Sequence, residues 1–200
     1  MAAPVSVPIC LNFMLEEQSA QDFLEVLLPK ILPSWVSFRC IPHQGKGDLQ
    51  KSIPVKLKDW RNPNDFFVIV HDQDNSDCLA LKQELRGLCK VVKYHVPLIR
   101  IVCRELEAWY FGDLAAVKKA FPEFPAAKLA SNRDFHDPDQ ITKPSAVLNE
   151  TIKEFNKTTA AGKISKHMNP DPTANKSESF KHFVIGVKKF AEDCLRARNP

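Results

Sequence analysis

The sequence predicts an α/β protein: a mostly parallel central sheet flanked by helices, with additional helical cover from the C-terminal part. Three observations carry this expectation. Apolar runs of strand length alternate with amphipathic helical segments through roughly the first 115 residues, the signature of βαβ units. The clearest of those runs are near-continuous rather than alternating, as in strands buried on both faces. They also end directly in acidic residues, and in such sheets the site lies at the carboxyl ends of the strands.

Val7 to Leu15 is the first apolar run, and it stops at Glu16-Glu17. Ser19 reads as a helix N-cap with Asp22 three residues on, and Phe23, Leu24, Leu27 and Leu28 form a stripe that Pro29 and Pro33 bring to a close. Trp35 to Ile41 alternates as a second strand. His43-Gln44-Gly45-Lys46-Gly47-Asp48 reads as a flexible loop, after which Leu49, Ile53, Leu57 and Trp60 recur at near-helical spacing around an early Pro54. Phe66 to Val70 is the clearest strand, and it runs into His71-Asp72-Gln73-Asp74-Asn75-Ser76-Asp77.

Leu79, Leu81, Leu85 and Leu88 mark a third helix, and Val91 to Cys103, interrupted by Pro97, supplies one long strand or two short ones. The Pro-rich stretch from Phe121 to Pro144 predicts little regular structure, in a length that usually means a functional or draped segment. Val147, Leu148, Ile152 and Phe155 suggest a helix. Asn175 to Ser179 caps a final one, with Phe180, Phe183, Val184, Val187, Phe190 and Cys194 on one face. Residues 1–120 thus read as the α/β core and 121–200 as a loop and helical extension packed on it, one domain overall for a chain of 200 residues.

A formal net charge of +4 excludes a general polycation but not a local basic surface. The six cysteines are scattered without a Cys-x-x-Cys pair and read as buried reduced thiols. No basic segment followed by an apolar stretch opens the chain, and no apolar run approaches the ~18 residues of a membrane span, so a cytoplasmic protein without a membrane partner is expected.

Strand ends deliver carboxylates at three places: Glu16 and Glu17, then Asp72 and Asp74, then Glu105 and Glu107. In a parallel sheet these converge on one rim, where close carboxylates raise one another's pKa unless a cation neutralises them; all-oxygen donors favour Mg²⁺ or Mn²⁺. In an extended segment residues two apart point the same way, so Asp72 and Asp74 can face one ion. Lys46, His43 and Arg104 are candidate substrate-binding residues for a phosphate, Arg104 alternatively pairing with Glu107 at helical spacing. His71 is a candidate base or phosphate ligand. Trp109 and Tyr110 read either as base-stacking residues or as core anchors. The lysines at 118, 119, 163, 166, 188 and 189 read as a nucleic-acid surface or as solvated faces.

The order of a glutamate after the first strand and Asp-x-Asp after a later one resembles the Toprim domain of topoisomerases, bacterial primases and nucleases of the overcoming-lysogenization-defect type. More closely, Leu15 to Ala20, His43 to Leu49, Asp72 to Cys78, Arg104-Glu105-Leu106-Glu107-Ala108-Trp109-Tyr110 with Gly112-Asp113, and Asn175-x-Ser177-x-Ser179-Phe180 are similar to the prokaryotic family catalogued as domain of unknown function 4276. That resemblance implies a Toprim-like (Rossmann-like) fold and a metal-dependent nuclease, often encoded beside ATPases in defence loci. It places Glu16, with Glu17 as the alternative, and Asp72 and Asp74 as catalytic residues, and Glu16, Asp72, Asp74, Glu105 and Glu107 as ligands of Mg²⁺ or Mn²⁺; Lys46, in its glycine-flanked loop, joins the catalytic set as a residue placed to approach the scissile phosphate. Many Toprim domains carry Gly directly after the glutamate and an acid three residues further, whereas Glu17 and Ala20 stand there in this chain.

Two ions about 4 Å apart would divide the labour of activating water and stabilising the leaving oxygen. Gly45-Lys46 lacks the upstream glycine and the Ser/Thr of a Walker A loop, so nucleotide hydrolysis is expected of a partner ATPase instead. A catalytically silent Toprim-like partner subunit is the alternative, and a phosphoryl-transfer domain a third reading, for which Lys93 and Arg100 are the nearest basic candidates.

Overall fold

The computed structural model describes residues 9–92 and 95–198. Four strands, β1 (Ile9–Leu15), β2 (Val36–Pro42), β3 (Asp65–Asp72) and β4 (Leu98–Val102), form one sheet in the order β2-β1-β3-β4, every adjacent pair parallel. The α/β class and the parallel sheet are therefore as expected. β1 is buried along its whole length and β3 up to its last residue, which explains why their sequences run apolar without alternation.

The crossover β1 to β2 uses α1 (Gln18–Ile31); α2 (Lys46–Asp59) and α3 (Cys78–Leu88) carry the chain back across β1 to β3 and on to β4. Alternation along the strands sorts the side chains. Met14, Phe67, Ile69 and Ile99 pack with Leu49, Ile53, Leu57, Leu81 and Leu85 of α2 and α3. Ile9, Leu11, Phe13, Leu15, Phe66, Val68 and Val70 face a larger core shared with α1 and the C-terminal helices. Chain direction across the sheet thus reverses between β1 and β3, and the topology opens its crevice there, at the carboxyl ends.

The second half of the chain is α4 (Glu107–Phe111), α5 (Leu114–Ala120), α6 (Ala126–Ser131), α7 (Pro144–Thr151), α8 (Lys157–His167) and α9 (Glu178–Arg198). These helices complete the core rather than merely cover it. Trp109, fully buried, meets Phe180 of α9 edge to face with ring centroids 5.4 Å apart, and packs at a tilt against Phe183 of α9 (4.9 Å) and Phe23 of α1 (5.8 Å).

The Arg104–Gly112 and Asn175–Phe180 motifs lock together. Trp109 Nε1 donates to Ser179 Oγ (2.8 Å), Asn175 Nδ2 to Trp109 O (3.0 Å), and buried Asp139 accepts from Ser177 Oγ (2.6 Å) and Ser179 N (2.8 Å). Ser177 Oγ also accepts from Phe180 N (3.1 Å), closing the first turn of α9. A Cβ on Gly112 would lie 1.7 Å from Asn175 Oδ1, so only glycine admits this approach.

Several expectations are corrected. Among the described residues of the Val91–Cys103 segment, Leu98–Val102 is the strand; Cys89–Val91 is a 3-10 turn, and Pro97 directly precedes the pairing. Val7 and Pro8 of the first run, and Lys93, lie outside the described residues. The 121–144 stretch holds α6 and two 3-10 turns, because Phe124, Leu129 and Ile141 are buried and anchor it. The loop His43–Asp48 is short and tied: His43 N donates to Leu15 O (3.0 Å), Gly45 N to Glu16 O (2.9 Å), and α2 begins at Lys46. Glu17, not Ser19, is the N-cap of α1; Ser19 is buried and its hydroxyl donates to Glu17 Oε1 (2.6 Å).

Candidate functional site

Glu16 follows β1 and Asp72 closes β3, so the two strands flanking the switch point deliver adjacent carboxylates. The Asp72 N–H donates to Glu16 Oε2 (3.3 Å). His71, on the opposite pleat and buried, donates from Nδ1 to Asp72 O (2.6 Å), lies 3.5 Å from Glu16 Oε2 and accepts at Nε2 from Gln50 Nε2 (3.3 Å). Burial pushes the Glu16 carboxyl above its usual range, with His71 and the Asp72 N–H opposing and Asp74 and Glu17 reinforcing.

Beyond Asp72 the backbone leaves the strand. Asp74 sits at φ +51° and Arg104 at φ +61°, left-handed conformations that cost non-glycine residues of order 1 kcal/mol or more and cluster at sites. The two turns are stitched: Gln73 N to Val102 O (2.8 Å), Asp74 N to Arg104 O (2.9 Å), Arg104 N to Gln73 Oε1 (3.2 Å). The strand alternation that would aim Asp72 and Asp74 alike is thereby broken. Asp74 instead turns to the first residue of α2, accepting from Lys46 Nζ (2.9 Å).

The inner half of the site comes from α4 and α8. Glu107 is 1% exposed; its Oε1 lies 3.6 Å from Lys157 Nζ, and its Oε2 has no hydrogen-bond partner. Lys157 also lies 3.7 Å from Glu17 Oε1. Burial pushes Glu107 up to about 7, Lys157 holding it lower than it would otherwise go. Asp72 is pushed well above the carboxylate range by burial first, then by Glu16, Glu107 and Glu17. Beside them the buried Tyr110 hydroxyl, also without a hydrogen-bond partner, is raised by burial and by Glu107 and Asp72. Lys157 is raised by Glu107 and Glu17 against the opposing effect of burial. A cavity of about 360 Å³ lined by Glu17, Ser19, His43, Gly45, Lys157 and Thr158 opens alongside.

A family model described as "Domain of unknown function (DUF4276)" matches residues 15–188, most of the chain and every residue of this site. The chain belongs to that family. Comparison with curated proteins and with solved structures gives no match.

In this DUF4276 chain Glu16, Asp72, Asp74 and Lys46 share the rim, and the buried Glu107 acts on Asp72 from the inner side. Among the described residues, however, no three His, Cys, Asp or Glu side chains stand as a ready-made metal-ligand group. Glu105 is directed elsewhere: its Oε2 accepts from Ser145 N (2.9 Å) in the first turn of α7. His43 is buried with Nδ1 bonded to Leu15 O (2.8 Å), which braces β1, while its Nε2 has no hydrogen-bond partner and its ring lines the cavity. Arg104 does not pair with Glu107; its Nη1 reaches Asp74 O at 3.4 Å. Trp109 and Tyr110 are core anchors. The lysines at 118, 119, 163, 166, 188 and 189 are exposed. Burial pushes Cys40, Cys103 and Cys194 up to about 12, which rules these thiols out as nucleophiles near neutrality.

Lys157 escaped the sequence reading. The one signal for it is local: Asn156, whose Oδ1 accepts from Thr159 N (3.1 Å), is a helix cap followed by Ala160, Ala161 and Ile164 on one face. No helix among the described residues is long and apolar enough to cross a membrane.

Proposed function

We propose that this chain is a Mg²⁺- or Mn²⁺-dependent, Toprim-like nuclease that hydrolyses phosphodiester bonds in DNA or RNA in the cytoplasm, as the effector partner of an ATPase in prokaryotic anti-phage defence. The observation that carries the reading is Glu107, a buried carboxylate with one orphaned oxygen that acts on Asp72, whose carboxyl, like that of its neighbour Glu16, is pushed up. Folded proteins rarely leave such groups uncompensated. All-oxygen donors at a strand rim fit a hard divalent cation.

Bound there, the ion would supply Lewis-acid polarisation of a phosphate and a more acidic water. Glu16 and Asp72 would hold it, braced by His71 and by the Asp72 N–H. Lys46, 60% exposed at the rim, would offer its charge to a phosphate while keeping Asp74 oriented.

The Lys46–Asp74 and Lys157–Glu107 pairs also favour a second reading, a silent Toprim-like binding subunit, because cations of the chain already neutralise part of the acid cluster. Incubation of the purified protein with plasmid, single-stranded DNA and RNA, in Mg²⁺ or Mn²⁺ against EDTA, separates the two. The nuclease reading expects metal-dependent cutting that Asp72→Ala/Asp74→Ala loses. Absence of cutting on all three, with and without a co-purified ATPase, would leave the silent subunit.

A further inference from the structure

We propose that the Lys157 ammonium is a built-in cation filling the second charge-neutralising position of this acidic site, so that the site takes one divalent ion, at Glu16 and Asp72, and not two. The inference rests on the metal-site reading above and specifies its stoichiometry.

The ammonium is delivered by a fixed element. α8 starts at Lys157 behind the Asn156 cap, presses Ala160, Ala161 and Ile164 into the core, and is tied at its far end by Lys30 of α1, whose Nζ donates to Ser165 O (2.6 Å) and Lys166 O (2.9 Å). With both ends of the helix held, Nζ stands between Glu17 at 3.7 Å and Glu107 at 3.6 Å, with Glu105 and Asp72 also in its field. These are the carboxylates a second ion would need. Mg²⁺ requires donors at about 2.0–2.1 Å in near-octahedral order, and a tethered ammonium in the same space excludes it.

The remaining donors point the same way. Glu105 is spent on the first turn of α7, and Ala20, one helical turn after Glu16, is buried and offers no carboxylate. Without Lys157, the buried Glu107 and the half-exposed Glu17 would face each other without a lysine between them, a configuration that binds a cation or protonates.

Titration with Mn²⁺ alone, followed by calorimetry and by the paramagnetic signal of free Mn²⁺, tests this on the full-length wild type, Lys157→Met and Lys157→Arg at neutral pH. One ion per chain is expected for the wild type and for Lys157→Arg, and two for Lys157→Met; a further Glu107→Gln change in the Met background should return it to one. Two ions on the wild type, or one on a folded Lys157→Met, would overturn the inference while leaving the metal site standing. No Mn²⁺ bound by any of the proteins would remove the metal-site reading together with it. Should Lys157→Met fail to fold by circular dichroism, the wild-type count still decides, since two ions there refute the proposal.

Discussion

Replacing Glu107 by Gln should stabilise the metal-free protein at alkaline pH and leave it nearly unchanged in acid. Glu107 is raised from a usual value of 4.5 to about 7, a difference of roughly 2.5 units, which at about 1.4 kcal/mol per unit is about 3 kcal/mol. A raised carboxyl means the folded chain holds the proton more tightly than the unfolded one. Between pH 4.5 and about 7 the native state therefore binds the extra proton, and stability falls as pH rises through that window. Below it both states are protonated and nothing is lost; above it the whole ~3 kcal/mol is. The glutamine variant removes this contribution, so in urea unfolding with EDTA its advantage should grow from near zero at pH 4.5 to as much as ~3 kcal/mol at pH 8. Added Mn²⁺ should then raise the wild type and the variant alike, since its ion would sit at Glu16 and Asp72. A Gln variant less stable than wild type at pH 8 without metal would show that the Lys157 pair outweighs the burial penalty, and would refute the reasoning.

Three further outcomes are expected. Trp109→Ala should lose about 3–5 kcal/mol in urea unfolding, since it empties a fully buried aromatic site and removes the indole hydrogen bond to Ser179 Oγ. Ser177→Ala should cost about 1–3 kcal/mol by the same measurement, because it removes a cap of α9 and one donor to buried Asp139. Lys46→Ala breaks only a solvated pair and should shift stability by less than about 1 kcal/mol in thermal melts, yet it should weaken metal-dependent cleavage.

What was legible in the sequence was what local pattern encodes. The unbroken apolar runs before Glu16 and Asp72 report strands buried on both faces, and the placement of those two residues at strand ends is legible because a strand end is a position along the chain. Strand alternation carried past Asp72 aims Asp74 the same way, whereas the chain turns left-handed at Asp74 and hands its carboxylate to Lys46. Glu105 and Glu107 were equal candidates because their directions depend on packing, and it is α7 that claims one while α8 neutralises the other.

Lys157 shows where such reading stops. Nothing near it in sequence is acidic enough to mark it: Glu154 is exposed and the stretch reads as a solvated helix start. Its partners lie at Glu17 and Glu107, in other elements, and it meets them only because small residues let α8 lie close along α1. A charge placed by tertiary packing leaves no spacing to detect, yet it sets how much positive charge the rim still needs. With Lys46 on Asp74 and Lys157 on Glu107, the carboxylates left without a lysine are Glu16 and Asp72, neighbours across β1 and β3 and linked by the Asp72 N–H. The acid cluster is thus wide, but its uncompensated part is small and sits at the switch point of the sheet, where a single divalent ion would complete it.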